Sequence, residues 1–318
     1  MSRWNTPGVS LPGTPPLPRD GRGAVVTVGT FDGVHRGHQG VLQEIQERAR
    51  SSGRRSVLLT FHPHPLEVVR PGQAPLLLTT PEEKKEAVAE SGLEYAIFLA
   101  FTPDLAAYPP ERFVEEILVE RLQVSELVIG YDHGFGRGRE GDPDTLRELG
   151  QTMGFTVDVV PPVSVGGWTI SSSSIRDAIQ GGDLPLARAG LGRPYSLRGW
   201  VVRGEGRGRK LGFATANLKL PHPRKLLPPP GIYAVWGVLR EGRFAGALHL
   251  GPRPTFRGSP PSVELHLMDF AGDIYGREVR VDFVRFLRPI IAFPTAAALV
   301  KQMDQDVREA AKVLESDV

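Results

Sequence analysis

Apolar and polar residues follow two different rhythms along this chain. Up to about residue 187, short apolar runs trade places with stretches whose apolar positions recur at helical spacing. Ala24–Gly29 predicts a strand, and His38–Arg50 a helix with Val41, Leu42, Ile45 and Ala49 on one face. Strands are likewise expected at Ser56–Phe61, Glu94–Phe101, Glu126–Gly130 and Phe155–Val160. Helices are expected at Pro81–Ser91, with proline at its first position, at Pro110–Leu122 and at Asp142–Met153. Such alternation predicts a parallel sheet covered on both faces. Ligands of these sheets bind at the carboxyl ends of the strands.

From Ser196 onward the rhythm shortens. Strand patterns recur at Ser196–Arg203, Ile232–Arg240, Arg243–Leu250, Ser262–Phe270 and Glu278–Arg285, separated by Gly and Pro turns. That spacing predicts a small antiparallel barrel or sandwich. Thr295–Glu315 reads as a closing helix with Ala298, Leu299, Met303, Val307 and Val313 on its buried side. Ser174–Leu191 reads as two short linking helices. The expected organisation is a proline-rich, flexible or extended tail over 1–22, an α/β domain over 23–186 and a small β-domain over 187–318.

Composition narrows the class. A length of 318 residues suits two domains. Gly (37) and Pro (29) make up about a fifth of the chain, which points to many tight turns. With 38 basic and 36 acidic residues, the charge balance argues against a protein built mainly to grip nucleic acid. Cysteine is absent, which excludes disulfides, thiolate nucleophiles and Cys-ligated metals. No apolar run approaches the roughly 18 residues of a membrane span, and the N-terminus has no apolar signal core. The expectation is a cytoplasmic, soluble protein.

The chemistry is concentrated in a few short strings. Val28-Gly29-Thr30-Phe31-Asp32-Gly33-Val34-His35-Arg36-Gly37-His38 joins the first strand to the first helix. Its glycines allow close backbone approach, and the helix start offers N–H groups and a positive dipole end to phosphate. His35 and His38 share a face there and suit charge stabilisation on a polyphosphate; the plainer reading is a pair of surface or capping histidines. Ile170-Ser171-Ser172-Ser173-Ser174-Ile175-Arg176 opens a helix, with hydroxyls and an Arg suited to phosphate. An ordinary serine N-cap is its plainer reading.

The first string resembles the His-x-Gly-His signature of nucleotidyltransferases. Its Gly-x-Phe-Asp-Gly-Val-His prefix resembles the bacterial bifunctional riboflavin kinase/FAD synthetase family. Leu59-Thr60-Phe61-His62-Pro63-His64-Pro65 is similar to that family's strand-end loop, with His62 where an acidic residue is usual. Val128–Gly141 resembles the next active-site loop, with Asp132 at a position filled by Asn or Asp and His133 in place of Phe. The serine string matches the family's Ile-Ser-Ser-Thr/Ser-x-Ile-Arg. The resemblance implies a Rossmann-like α/β nucleotidyltransferase domain of His-x-Gly-His type. It implies ATP and phosphate contacts at Gly29, Phe31, Asp32, Gly33, Ser171, Ser172, Ser173 and Arg176, with His35 and His38 catalytic. FMN contacts are implied at His64, Pro65 and Asp132.

In the second half, Gly204–Gly212 is a flexible basic loop whose N–H groups suit phosphate; an arginine-glycine RNA-binding segment is the other reading. Thr215 and Asn217 follow it, two hard oxygen ligands on one strand face, as Mg²⁺ prefers. This block resembles the riboflavin kinase domain and its Pro-Thr-Ala-Asn hallmark, with Ala214 in place of the proline. Gly206, Arg209 and Gly212 are then its phosphate contacts, and Thr215 and Asn217 its metal ligands. In Val263-Glu264-Leu265-His266, Glu264 and His266 alternate onto one face, and the resemblance makes Glu264 the base. His249 stands where the family usually has Asn.

The resemblance covers roughly residues 24–300. It implies an antiparallel β-barrel riboflavin kinase domain with a C-terminal helix, and a bifunctional enzyme. Riboflavin and ATP would give FMN, then FMN and ATP would give FAD and pyrophosphate, with Mg²⁺ as cofactor. No nucleic acid or membrane partner is expected. Three alternatives stay open at this point: one activity alone, a nucleotidyltransferase for another phosphorylated alcohol, or a flavin- or RNA-binding regulator.

Overall fold

The computed structural model describes residues 9–10, 17–131, 142–204, 212–252 and 262–317. Its contacts divide into two units, Met1–Ser172 and Ser173–Val318.

In the first unit the strands are β1 (Val9–Ser10), β2 (Ala24–Val28), β3 (Arg55–His62), β4 (Tyr95–Ala100), β5 (Val124–Gly130) and β6 (Thr156–Val160). They form one parallel sheet in the order β1-β4-β3-β2-β5-β6. Every side chain of β2 is buried, as a strand covered on both faces requires. Val25, Leu58 and Phe98 pack beneath α1 (Arg36–Ser52), whose buried residues are the expected Val41, Leu42, Ile45 and Ala49. Val26, Leu59 and Leu127 pack on the other face with Phe113, Ile117 and Leu146.

Helices α2 (Pro65–Val69), α3 (Pro81–Ala89), α4 (Pro103–Ala106), α5 (Pro110–Phe113) and α6 (Pro143–Met153) all begin with proline. A proline there loses no hydrogen bond and pre-sets φ. The reading of one helix over Pro110–Leu122 needs refinement, because α5 continues as a π-helix over Val114–Val119. Part of the proline-rich segment is structured. Val9–Ser10 extends the sheet beside β4, and Leu17 is buried with its N–H donating to Arg121 O. A small hairpin, β7 (Ser164–Val165) and β8 (Trp168–Thr169), turns at Gly166–Gly167, both at positive φ.

β2 lies between β3 and β5. The chain leaves β2 toward β3 through α1 and later returns on the other side as β5. The carboxyl ends of β2 and β5 therefore flank the switch point, where such sheets form their ligand crevice.

Helix α7 (Ser172–Gln180) starts at the last residue of the first unit and runs into the second, where α8 (Leu184–Leu191) follows. A closed antiparallel barrel follows: β9 (Ser196–Val202), β10 (Ala216–Lys219), β11 (Gly231–Leu239), β12 (Gly242–Gly251), β13 (Ser262–Leu267) and β14 (Glu278–Arg288), in the order β10-β13-β12-β11-β14-β9. Five of the six strands stand where the alternation predicts them. β10 was hidden inside the Thr215–Asn217 block. Along β13, Val263, Leu265 and Leu267 are buried while Ser262, Glu264 and His266 are partly exposed.

Helix α9 (Ala296–Glu315) packs on β11, β12 and β14, with Val313 and Leu314 against Ala234 and Ala247. Its buried stripe carries a charge that apolar periodicity did not show. Asp306 is 5% exposed and receives two bonds from Arg288, at 2.7 and 2.6 Å. Ala298, Leu299 and Met303 are only partly buried, because the helix seats its C-terminal half deepest. No helix among the described residues is long and apolar enough to cross a membrane.

Removing one partner of a buried ion pair strands the other. Asp306→Ala should therefore cost the second unit about 3–5 kcal/mol. Urea unfolding followed by tryptophan fluorescence should show the fall in midpoint, and a change below 1 kcal/mol would assign the packing of α9 to its apolar contacts alone.

Candidate active sites

The first site is built on the loop between β2 and α1. Gly29 N donates to Leu59 O at 3.1 Å, keeping the loop's start on the sheet. Phe31 (φ 49°) and Val34 (φ 40°) then adopt the left-handed region, unusual for bulky and β-branched residues. A web of bonds holds them there. The buried Asp32 carboxylate accepts from Leu78 N (3.0 Å), Thr79 N (3.0 Å) and Thr79 Oγ1 (3.1 Å). Gly33 N donates to Thr79 Oγ1 at 3.0 Å, and Ser172 Oγ donates to Asp32 O at 3.0 Å.

The loop delivers three rings in sequence. His38 stacks on Phe31 at 4.5 Å and on His35 at 3.6 Å between centroids. His35 is the N-cap of α1, its Nδ1 accepting from His38 N at 3.3 Å. The capping reading and the functional one thus describe the same residue. A ring nitrogen that accepts carries no proton, so neutral His35 holds its hydrogen on Nε2. Gly37 leaves this ring room, since a Cβ there would lie a tight 3.2 Å from it.

His64 repeats the device on α2, its Nδ1 accepting from Leu66 N at 3.2 Å, with Pro65 at the first helical position. A cavity lined by Asp32, His62, His64, Thr79 and Lys84 connects this helix start to the first loop. The peptide bond between His62 and Pro63 is cis. Burial, with Lys84 and Lys85 nearby, holds the His62 imidazole below its usual pKa. Lys84 itself is 8% exposed. Its ammonium donates to Thr30 O (3.0 Å), Phe61 O (3.0 Å) and Thr60 Oγ1 (3.3 Å), and burial lowers its pKa to about 8.

Two kinds of residue here escaped sequence reasoning. Thr79 and Lys84 sit in Thr79-Thr80-Pro81-Glu82-Glu83-Lys84-Lys85, which reads as a helix cap followed by a solvated charge run. The only sequence signal was that Lys84 falls one turn before the buried Val88. Of the serine string, Ser172 meets the loop directly. Ser171 precedes α7, and Ser173 and Arg176 lie further along that helix. Asp132 and His133 lie outside the described residues.

The second site lies on the outer face of the barrel. β10 and β13 pair Asn217 opposite Glu264, and β12 and β13 pair His249 opposite Glu264. Thr215, two residues before Asn217, reaches the same carboxylate, Oγ1 to Oε2 at 3.5 Å. Ser262 Oγ donates to Glu264 Oε1 at 2.8 Å. The two hydroxyls fix the plane of the carboxylate. Gly204 gives way to the Asn217 side chain, since a Cβ there would fall 2.2 Å from Asn217 Nδ2.

His266 has a different task from Glu264. Its Nδ1 is 2.9 Å from Ala214 O and its ring meets Phe213 edge-on at 5.6 Å. A carbonyl only accepts, so this nitrogen donates. The bond holds the segment in which Ala214 replaces the expected proline. Gly212 precedes it at φ 89°. Gly206 and Arg209 lie outside the described residues. Among the described residues no group of three His, Cys, Asp or Glu is placed to hold a metal. Thr215 and Asn217 do fit Mg²⁺, a cation that takes few protein oxygens and fills its shell from phosphates and water.

Comparison with known proteins identifies the family to which both units belong. The FAD synthetase family model matches residues 17–174 and the riboflavin kinase model residues 191–314. The bifunctional riboflavin kinase/FMN adenylyltransferase of Escherichia coli K12 is 38% identical over 285 residues, 89% of this chain and 90% of its own. The protein of the same description from Bacillus subtilis is 34% identical over 292 residues, 90% of this chain and 91% of its own. A solved structure described as a macrolide-efflux protein from Streptococcus pneumoniae is 30% identical with a TM-score of 0.81, covering 91% of this chain and 94% of that one. With family models on both units and relatives aligned over nine-tenths of its length, the chain belongs to the bifunctional riboflavin kinase/FMN adenylyltransferases, the enzymes of FMN and FAD biosynthesis.

Proposed function

We propose that Glu264 is the base of the kinase step and that the His35–His38 pair serves the adenylyl step. In the barrel, Glu264 takes the proton from the riboflavin 5′-hydroxyl as its oxygen attacks the γ-phosphorus of ATP; FMN forms and ADP leaves. The observation that carries this is the register of β10 and β13. It sets the candidate base directly opposite Asn217 and within 3.5 Å of the Thr215 hydroxyl. Thr215 and Asn217 would hold Mg²⁺, which neutralises phosphate charge when bound. Gly206, Arg209 and Gly212 hold the phosphates. His266 keeps the Phe213–Ala214 segment in place so that Thr215 points at Glu264.

In the parallel-sheet unit, a phosphate oxygen of FMN attacks the α-phosphorus of ATP, and pyrophosphate leaves. The attacking group is already an anion, so this step needs charge stabilisation rather than a base. His35 and His38, at the positive end of α1, donate to the leaving phosphates. Ser171, Ser172, Ser173 and Arg176 bind the rest of the triphosphate. Gly29, Phe31 and Gly33 shape the loop, and Asp32 fastens it. His64, Pro65 and Asp132 contact FMN. We assign the reactions to the cytoplasm, with neither nucleic acid nor membrane as partner. The near-equal charge count speaks against a nucleic-acid partner.

His38→Ala should slow FMN-to-FAD conversion by about 10²–10³, while riboflavin-to-FMN conversion stays near normal. Chromatographic separation of the three flavins reads both, and equal loss of both activities would sink the assignment. Glu264→Gln keeps size and hydrogen bonding but loses basicity. FMN formation should fall by about 10²–10⁴, and FAD formation from supplied FMN should persist. A Glu264→Gln enzyme phosphorylating riboflavin at the normal rate would move the base elsewhere. Thr215→Ala should raise the Mg²⁺ concentration for half-maximal kinase rate, and an unshifted Mg²⁺ dependence would remove Thr215 from the metal.

A further inference from the structure

The Lys84 ammonium sits beneath the first site, at the wall of the cavity that joins its two loops. All three of its acceptors are protein groups. Thr30 O lies two residues beyond the end of β2, and Phe61 O lies near the end of β3, one residue before His62. The third, Thr60 Oγ1, donates in turn to Thr30 O at 3.0 Å. One cation therefore ties the root of the His35–His38 loop to the root of the His62–Pro65 loop.

We infer that Lys84 is a positioning residue for adenylyl transfer, holding the two substrate loops in register through Thr30 and Phe61. Its role in this form depends on FAD formation at the His35–His38 loop. Three observations point to it. The loop carries two non-glycine residues at positive φ, so its shape must be imposed from outside. Asp32 and Thr79 impose it in the middle, and at its root Lys84 joins Thr60 in binding the Thr30 carbonyl. The lysine is buried, so its bonds are not diluted by water.

The bonds also need the full ammonium. Both carbonyls can only accept, and the Thr60 hydroxyl is already donating to Thr30 O. A neutral amine has two hydrogens for three acceptors, so one bond breaks. The charged and titratable groups around it are Asp32, whose carboxylate favours the cation, and Lys85, which opposes it. His62, His64 and Glu67 line the same cavity. With burial lowering its pKa to about 8, Lys84 loses its proton just above neutrality. Loosened loop roots then misplace His35 and His38, and displacements of about 1 Å can cost on the order of 10² in rate.

The test measures FMN-to-FAD conversion between about pH 6.5 and 9.5, a window around the Lys84 pKa. Wild type, Lys84→Met and Thr60→Val are compared, with riboflavin phosphorylation by the same chains as reference. Lys84→Met should lower kcat for FAD formation at pH 7 by about 10–100-fold, with a smaller change in KM for ATP. The wild-type kcat should decline with an apparent pKa near 8, and this limb should vanish in Lys84→Met. Thr60→Val keeps the cation but loses one acceptor, so kcat should fall several-fold with the limb retained. A Lys84→Met kcat within twofold of wild type overturns the inference, as does an alkaline limb that survives the substitution. If Lys84→Met shows no cooperative melt, Thr60→Val decides, and a normal kcat there overturns it. His38→Ala separates the two levels. Full FAD formation in His38→Ala refutes the site itself, whereas an inactive His38→Ala beside a fully active Lys84→Met refutes only the role of Lys84.

Discussion

The Asp32 carboxylate is the fastening on which the first unit depends. Two of its neighbours, Phe31 and Val34, hold backbone angles that cost about 1–3 kcal/mol each in an unsupported chain. Three donors from Leu78 and Thr79 converge on Asp32 and supply that support from a segment 46 and 47 residues away. The loop is thus not a local motif. It is a contact between the chain leaving β2 and the cap of α3. Thr80 and Glu83, joined in a reciprocal capping box, fix the helix from which that contact is made.

The barrel meets the same need by different means. Antiparallel pairing with alternate side chains does the positioning there. Val263, Leu265 and Leu267 fill the interior, and the alternation turns Glu264 and His266 outward. Pairing with β10 and β12 then places Asn217 and His249 on either side of Glu264. The core and the site are therefore opposite faces of the same few residues. A one-residue slip of β13 would bury the carboxylate and expose a valine and two leucines, so the packing that stabilises the barrel also enforces the chemistry.

Much of this was legible in the sequence, for identifiable reasons. Strands buried on both faces read as apolar runs, so β2, β3 and β5 stood out, and period-two alternation revealed β13. The phosphate-type loop announced itself through glycines, histidines and its place between strand and helix. What escaped had no local signature. β10 is four residues long and is a strand only because β9 and β13 flank it. Asp306 interrupts an apolar stripe and looks solvated until Arg288 is seen beside it. Lys84 stands between Glu82-Glu83 and Lys85 and would be placed in water by any pattern rule, yet it lies under Thr30 and Phe61. Buried charges are decided by partners far away in sequence, and periodicity carries no record of them.

The capping histidines carry one more implication. His35 and His64 each accept a backbone N–H on Nδ1, so each begins its helix only as a neutral ring. A proton added to either Nδ1 would evict the backbone donor and uncap α1 or α2. The same nitrogen cannot both cap the helix and carry a proton. The imidazolium, usually the stronger partner for phosphate, would be gained at the expense of the helix end that presents it.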